Sequence, residues 1–255
     1  MPKKKALQKT RLVQKKGPIK STPSMPHRWR ICPAGHYWVR AYERDVQISK
    51  KNPDGTTSVR GHCRTNPSHK DQIYRDEMHE IARQYFKKLG GGPTSDDFDL
   101  PNGNLFDNFI RGWTKYWNEV LNPDEPLDPD LVKAIIFSES TFNPDAGKKS
   151  KKKDAPRGLM QIMDSTRGIL ADEKGELKDH LVNLTEEDAY DPNLNIAAGI
   201  RWLFRKKEIA SSKLKRKATW DEAVAEYKSF LPQIRKGETP PNMQKFRDAF
   251  ERLKS

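Results

Sequence analysis

Cysteine is scarce: Cys32 and Cys63 are the only two, which allows at most one internal disulfide and excludes a disulfide-rich secreted scaffold. Long apolar runs are missing as well. No stretch approaches the ~18 uninterrupted apolar residues of a membrane-spanning helix, so no span is expected. The opening MPKKKALQKTRLVQKKGPIK has positive charge with no apolar region behind it, unlike a Sec-type export signal. Residues 1–24 contain neither an acid nor an aromatic residue. They cannot bury enough surface to order themselves, and a disordered basic arm is expected there.

What the chain does have is charge. A third of its 255 residues are charged, and Lys+Arg exceed Asp+Glu by 13. Eight of that excess lie in residues 1–24, and Lys148, Lys149, Lys151, Lys152 and Lys153 supply the other five. The remainder is close to neutral, so the basic character belongs to a tail and a loop. Such blocks are either plain solvated segments or sites of contact with a polyanion, whether nucleic acid or an anionic cell envelope. The length fits one large domain or two small ones.

From His27 to about Asp71 two β-type runs, HYWVRAYERDVQI and TTSVRGHCR, flank a segment containing Asn-Pro-Asp-Gly, which reads as a hairpin. Next, DQIYRDEMHEIARQYFKKL spaces Ile73, Met78, Ile81, Tyr85 and Leu89 as one helix, stopped by Gly90, Gly91 and Gly92. A ββα module over residues 25–92 and a linker over 93–104 are therefore expected. Beyond them a helical domain over 105–255 is marked by Leu105, Phe109, Trp113 and Trp117 at four-residue spacing. Three helix starts are legible: Asp128-Pro129, Asp191-Pro192 and the capping box Thr219-x-x-Glu222. The fold class is α+β, mainly α.

LVKAIIFSES is apolar nearly all round, which implies burial, and Glu139 stands at its end on the stripe of Val132 and Ile135. Desolvation and the negative end of the helix dipole both favour a protonated carboxyl there. A carboxylic acid that keeps its proton near neutral pH is what protonation of a glycosidic oxygen requires. The plain alternative is an exposed Glu on a last turn.

Downstream of Glu139 come RGLMQIMDST at 157–166, DPNLNIAAGIRWL at 191–203 and AVAEYKSF at 223–230. In this order and spacing, residues 131–230 resemble the catalytic domain of soluble lytic transglycosylases, relatives of goose-type lysozyme. In that family an E-S motif is followed by G-L-M-Q-I-M, then N-I-x-x-G, then A-x-x-Y-N-x-G. The resemblance implies a lysozyme-like helical fold with a cleft for peptidoglycan glycan strands and Glu139 as sole acid/base. Glu139 would protonate the oxygen between N-acetylmuramic acid and N-acetylglucosamine. Its carboxylate would then take the proton of the sugar's own 6-hydroxyl, closing a 1,6-anhydro ring without water. The resemblance also implies that Met160 and Gln161 line the cleft, that Asn195 ties helices together beside it, and that Tyr227 hydrogen-bonds near Glu139. Ordinary glycosidases need two carboxylates flanking the bond, and no other acid of the sequence has a matching apolar frame.

The sequence departs from the family pattern twice. DAGKKSKKKDAPR stands where the family often has a Ser before Gly-Ala, leaving Ser150 as the candidate for that substrate-side Ser, and Tyr227-Lys228-Ser229-Phe230 replaces Tyr-Asn-x-Gly. The rivals are hydrolytic muramidase action on the same fold, and an inactive adaptor binding envelope or nucleic acid. Catalysis needs no cofactor on this reading, and a monomer is expected. Without a Sec signal, the wall would be reached by a non-Sec route such as those of phage lysins, virion enzymes or secretion-system effectors.

The N-terminal module offers a separate possibility. Cys32, His36, Cys63 and His69 supply two thiolates and two imidazoles, a set that suits structural zinc, with His62 able to replace His69. A Cys32–Cys63 disulfide and two plain thiols are the alternatives. Trp29, Tyr37 and Trp38 amid arginines could stack on sugars or bases, or form one buried face.

Overall fold

The computed structural model describes residues 28–33, 35–68 and 70–255, so the arm expected at residues 1–24 and the candidate ligand His69 lie outside the described residues. Strands β1 (His36–Val39) and β2 (Tyr42–Asp45) run out, and β3 (Thr56–Val59) and β4 (His62–Thr65) run back. β2 pairs antiparallel with β3 and β1 with β4, placing Trp38 opposite Cys63, so the expected hairpin forms as one ribbon in two ladders. Its Asn-Pro-Asp-Gly turn closes with Gly55 at a φ of 68°, a left-handed conformation that a side chain would oppose. β2 and β4 are exposed along their whole length, so the ribbon buries little apolar surface of its own.

The helix expected from about Asp71 begins later. Gln72–Tyr74 forms strand β5, and α1 spans Arg75–Tyr85. β5 pairs in parallel with β6 (Leu181–Asn183), Ile73 facing Val182, and both of these side chains are buried. The periodicity of residues 71–89 has no access to a strand partner so distant in the chain, and that pairing overrides the local helical pattern.

Segment 93–104, expected as a linker, is packed onto the helices. The Thr94 amide and hydroxyl donate to the Asp130 carboxylate, and the buried Lys133 ammonium donates to Thr94 O, Asn104 Oδ1 and Asp107 Oδ2. Phe98 stacks on Phe137 with ring centroids 4.4 Å apart.

The helical part comprises α2 (Asp107–Leu121), α3 (Pro129–Ser140), α4 (Asp164–Ala171), α5 (Pro192–Leu214), α6 (Trp220–Tyr227), α7 (Leu231–Ile234) and α8 (Pro241–Lys254). The three helix starts fall where the capping residues put them. Asp128 accepts from the Asp130 amide, Asp191 from the Leu194 amide, and Thr219 and Glu222 form the reciprocal box. α5 is the central strut. Trp113 and Trp117 of α2 lie against it, their indole N–H groups donating to Asn193 Oδ1 at 2.8 Å and to Ala197 O at 2.9 Å. α3 packs chiefly on α8, and α6 on α5.

Residues on both sides of the expected boundary at 92 share one core, in which Trp29, Ile73, Met78, Ile81 and Phe86 join Trp113, Ile135 and Leu203. Each such side chain contributes roughly 1.5–3 kcal/mol by leaving water, so the N-terminal segment is held by its contacts with the helices.

Candidate active site

Glu139 is the penultimate residue of α3, a helix whose Leu131 to Ile136 are all buried. The helix stops at Thr141 and Phe142, both left-handed with φ of 50° and 58°, so the chain leaves the helix axis abruptly. The Glu139 side chain is 15% exposed: it is neither the freely exposed Glu of the plain alternative nor sealed in the core.

The 157–162 block forms a tight loop closed by an antiparallel bridge between Arg157 and Ile162. At its base the Arg157 guanidinium is gripped by both oxygens of Asp164, by the Tyr190 hydroxyl at 2.7 Å and by Glu186 at 2.8 Å. These bonds, with those from Arg167, hold the Asp164 carboxyl down to about 2. At the tip Gly158 has a φ of 70°, and a Cβ there would lie 2.2 Å from Ala189 O and 2.5 Å from Asn195 Nδ2. Gln161 is half-buried and left-handed with a φ of 53°, and its amide donates to Gly158 O at 2.7 Å.

Asn195, on α5 and wholly buried, clamps this loop. Its Oδ1 accepts from the Met160 amide at 2.7 Å, and its Nδ2 donates to Arg157 O at 3.0 Å and Ala189 O at 2.6 Å. One turn on, Gly199 leaves room for Met160, whose sulfur would lie 2.4 Å from a Cβ there. The spacing Asn-x-x-x-Gly thus puts a clamp and a gap on one face of a helix. Asn195, expected to tie helices together, bonds instead to the loop and to Ala189 O. Met160 does not line an open cleft: it is fully buried, because the gap at Gly199 draws its side chain beneath the loop.

Tyr227 ends α6. Its hydroxyl donates to Met160 O at 2.6 Å and so supports the loop, close enough to Glu139 to feel its charge. Burial, with a smaller contribution from the Glu139 charge, pushes the phenol well above its ordinary range and keeps it a donor. The turn after Tyr227 forms without the family's Gly, because Ser229 takes the left-handed conformation at a φ of 63° and lets Phe230 N reach Ala225 O.

The group that sequence reasoning missed is Lys228. Its side chain is 1% exposed, and its ammonium lies 2.6 Å from Glu139 Oε1, 2.9 Å from Ser138 Oγ and 3.2 Å from Asn242 Oδ1. The replacement of Asn by Lys was visible as a departure from the pattern. Its direction was not, since it depends on how α6 ends against α3 and α8.

The comparison with known families bears on these same residues. Residues 117–236 match the transglycosylase SLT domain. No curated protein and no solved structure matches the chain. The SLT domain runs from the middle of α2 to just past α7, and it contains Glu139, the 157–162 loop, Asn195 and Tyr227. At the level of the family it is a peptidoglycan-acting domain. The hairpin, α1 and α8 lie outside the matched residues, and α8 nevertheless supplies Asn242 to the Glu139 cluster.

Ser150 sits in the lysine-bearing loop between α3 and the 157–162 block. Its amide donates to Gly147 O and its hydroxyl accepts from the Lys152 amide at 3.3 Å, which shapes the loop, and no contact to Glu139 is found among the described residues. Lys148 pairs with Asp145, whereas Lys149, Lys151, Lys152 and Lys153 are exposed with no ion pair among the described residues. Two of the four zinc candidates are otherwise engaged. Cys32 and Cys63 are bonded to each other in a disulfide, the alternative pairing, and a disulfide sulfur is no thiolate ligand; His36 Nε2 lies 3.3 Å from the Thr65 hydroxyl. Among the described residues, metal-binding groups cluster at Asp71, Asp179 and His180, where Asp71 is already ion-paired with Arg30 and His180. Trp29 is buried and donates to Glu119, and Arg30 is sealed against Asp71 and Glu77, so neither presents a stacking face to sugars or bases.

Proposed function

We propose that the chain is a peptidoglycan lytic transglycosylase, with Glu139 as its acid and base. The observation that carries this reading is the placement of Glu139, partly exposed, at the end of a buried helix, within the matched SLT segment and near Tyr227, which with Asn195 holds the 157–162 loop. Glu139 gives its proton to the oxygen joining N-acetylmuramic acid to N-acetylglucosamine, and the C1–O bond breaks with the electron pair leaving on that oxygen. The muramic acid 6-hydroxyl then bonds to C1 and gives its proton to the Glu139 carboxylate. The products are a free N-acetylglucosamine end and a 1,6-anhydro-N-acetylmuramic acid end. No water is consumed, and Glu139 returns to its starting form.

Gln161, at the tip of a loop braced on three sides, is the side chain proposed to meet the glycan, and Asn195 and Tyr227 fix where that tip stands. Glu139→Gln tests the assignment, because the amide is nearly isosteric and has no proton to give. Clearance of purified sacculi by this variant is expected to fall at least ~10²-fold with its circular dichroism spectrum unchanged. Clearance at the parental rate would overturn the role of Glu139.

A further inference from the structure

The contacts of Lys228 give it more than a packing role. Three acceptors surround its ammonium, matching its three N–H donors: Glu139 Oε1, Ser138 Oγ and Asn242 Oδ1. The Ser138 hydroxyl has committed its own proton to Ile135 O at 2.9 Å, so it can only accept from Lys228. The acceptors come from two helices, α3 and α8, and the lysine from the end of a third, α6. Burial pulls the ammonium below its ordinary range while the Glu139 charge works against that pull. The other charged or titratable groups facing the pair are Tyr227 from α6 and Lys245 from α8, the latter with its ammonium 4.7 Å from the centre of the Phe137 ring.

We propose that Lys228 is a positioning residue for Glu139: it ties down one carboxyl oxygen and leaves the other for the glycan. The proposal rests on the acid/base role of Glu139 given above.

A carboxylate held at Oε1 by a buried donor, itself fixed by two further bonds, loses rotamer freedom and presents Oε2 in a fixed direction. Removing the ammonium while keeping the bulk lets the carboxyl wander.

Lys228→Met keeps an unbranched chain of similar volume in the buried site. On soluble glycan-strand fragments this variant is expected to lower kcat by about tenfold with KM within about twofold and its circular dichroism spectrum unchanged. A purely structural lysine would leave kcat in place in a folded variant. A folded Met variant with parental kcat would overturn the proposal.

Glu139→Gln is run alongside it. If that variant stays active, the catalytic reading fails and the proposal fails with it. If it is inactive while the Met variant keeps the parental kcat, only the proposal about Lys228 fails. Should the Met variant not fold, the parent protein decides. With 15N-labelled lysine it should show a slowly exchanging ammonium resonance that Glu139→Gln abolishes or shifts, while the signal of buried Lys133 stays in place as the internal reference. Absence of any ammonium signal that responds to residue 139 would overturn the proposal.

Discussion

Asn195 uses both amide protons on backbone carbonyls, and its side-chain carbonyl takes the Met160 amide. Replacing it with Ala would leave the Met160 amide and the Ala189 carbonyl without this partner, each costing about 1–3 kcal/mol, whereas Arg157 O keeps its bond from Ile162 N. Asn195→Ala should therefore lose at least about 2 kcal/mol in urea denaturation, and a loss under about 1 kcal/mol would contradict the clamp. The place of Glu139 at a helix end is legible in the sequence, because short-range spacing defines it. Asn195 is pointed to only by the family resemblance, and neither its partners nor the gap at Gly199 follow from spacing alone. Tyr227 is implied by the resemblance to hydrogen-bond near Glu139, and it bonds to Met160 O with the Glu139 charge close by. Met160 lies beneath the loop and not along a cleft, because whether a side chain beside a loop turns outward or under it depends on a gap opened by another helix. Lys228 was noticed only as a substitution. Its partners on α3 and α8 come together only through tertiary packing.

At the scale of elements, the 157–162 loop depends on the ion pairs at its base. The Asp164 carboxyl is held from its ordinary 3.8 down to about 2 by hydrogen bonds from Arg157 and Arg167, so it is ionised in the folded chain at pH values where the unfolded chain has begun to protonate it. The stabilisation from this depressed carboxyl is thus fully present above pH 3.8 and is lost as pH falls toward about 2. Asp164→Asn should melt below the parent at neutral pH, with the gap closing through that acid window; a gap independent of pH would contradict it. The hairpin carries a second prediction. The Cys32–Cys63 disulfide closes a loop with a sequence separation of 31, and its loss should cost about 3–4 kcal/mol on the chain-entropy account. Cys32→Ser should melt earlier than the parent yet cleave glycan at the parental rate, and the parent should carry no zinc by metal analysis. One zinc per chain would restore the thiolate reading. Capping residues announced α3, α5 and α6, whereas β5 had no local signal, since a three-residue parallel strand exists only by virtue of its distant partner.

Across the whole molecule, the N-terminal segment and the SLT domain share one core, although charge, glycine and composition all suggested a seam near residue 92. Composition shifts report where chain character changes, and burial of Ile73, Met78 and Phe86 against the helices erases the seam in space. The surplus charge stays on the outside. Lys149, Lys151, Lys152 and Lys153 are exposed on the loop between Glu139 and Gln161, where an anionic wall polymer would meet them. Changing all four to Gln should weaken binding to intact sacculi at low salt, and the difference should vanish above about 0.5 M salt as screening shortens the reach of surface charge. Equal binding at low salt would show the loop to be inert.

The central claim concerns the bond formed when the glycan strand is cut. Mass spectrometry of the fragments released from purified peptidoglycan reads that bond directly, since a 1,6-anhydro end lacks the water that hydrolysis adds. One-carboxylate chemistry at Glu139 predicts 1,6-anhydro-N-acetylmuramic acid as the dominant new end. A dominant reducing-end N-acetylmuramic acid would contradict it and make the chain a hydrolase.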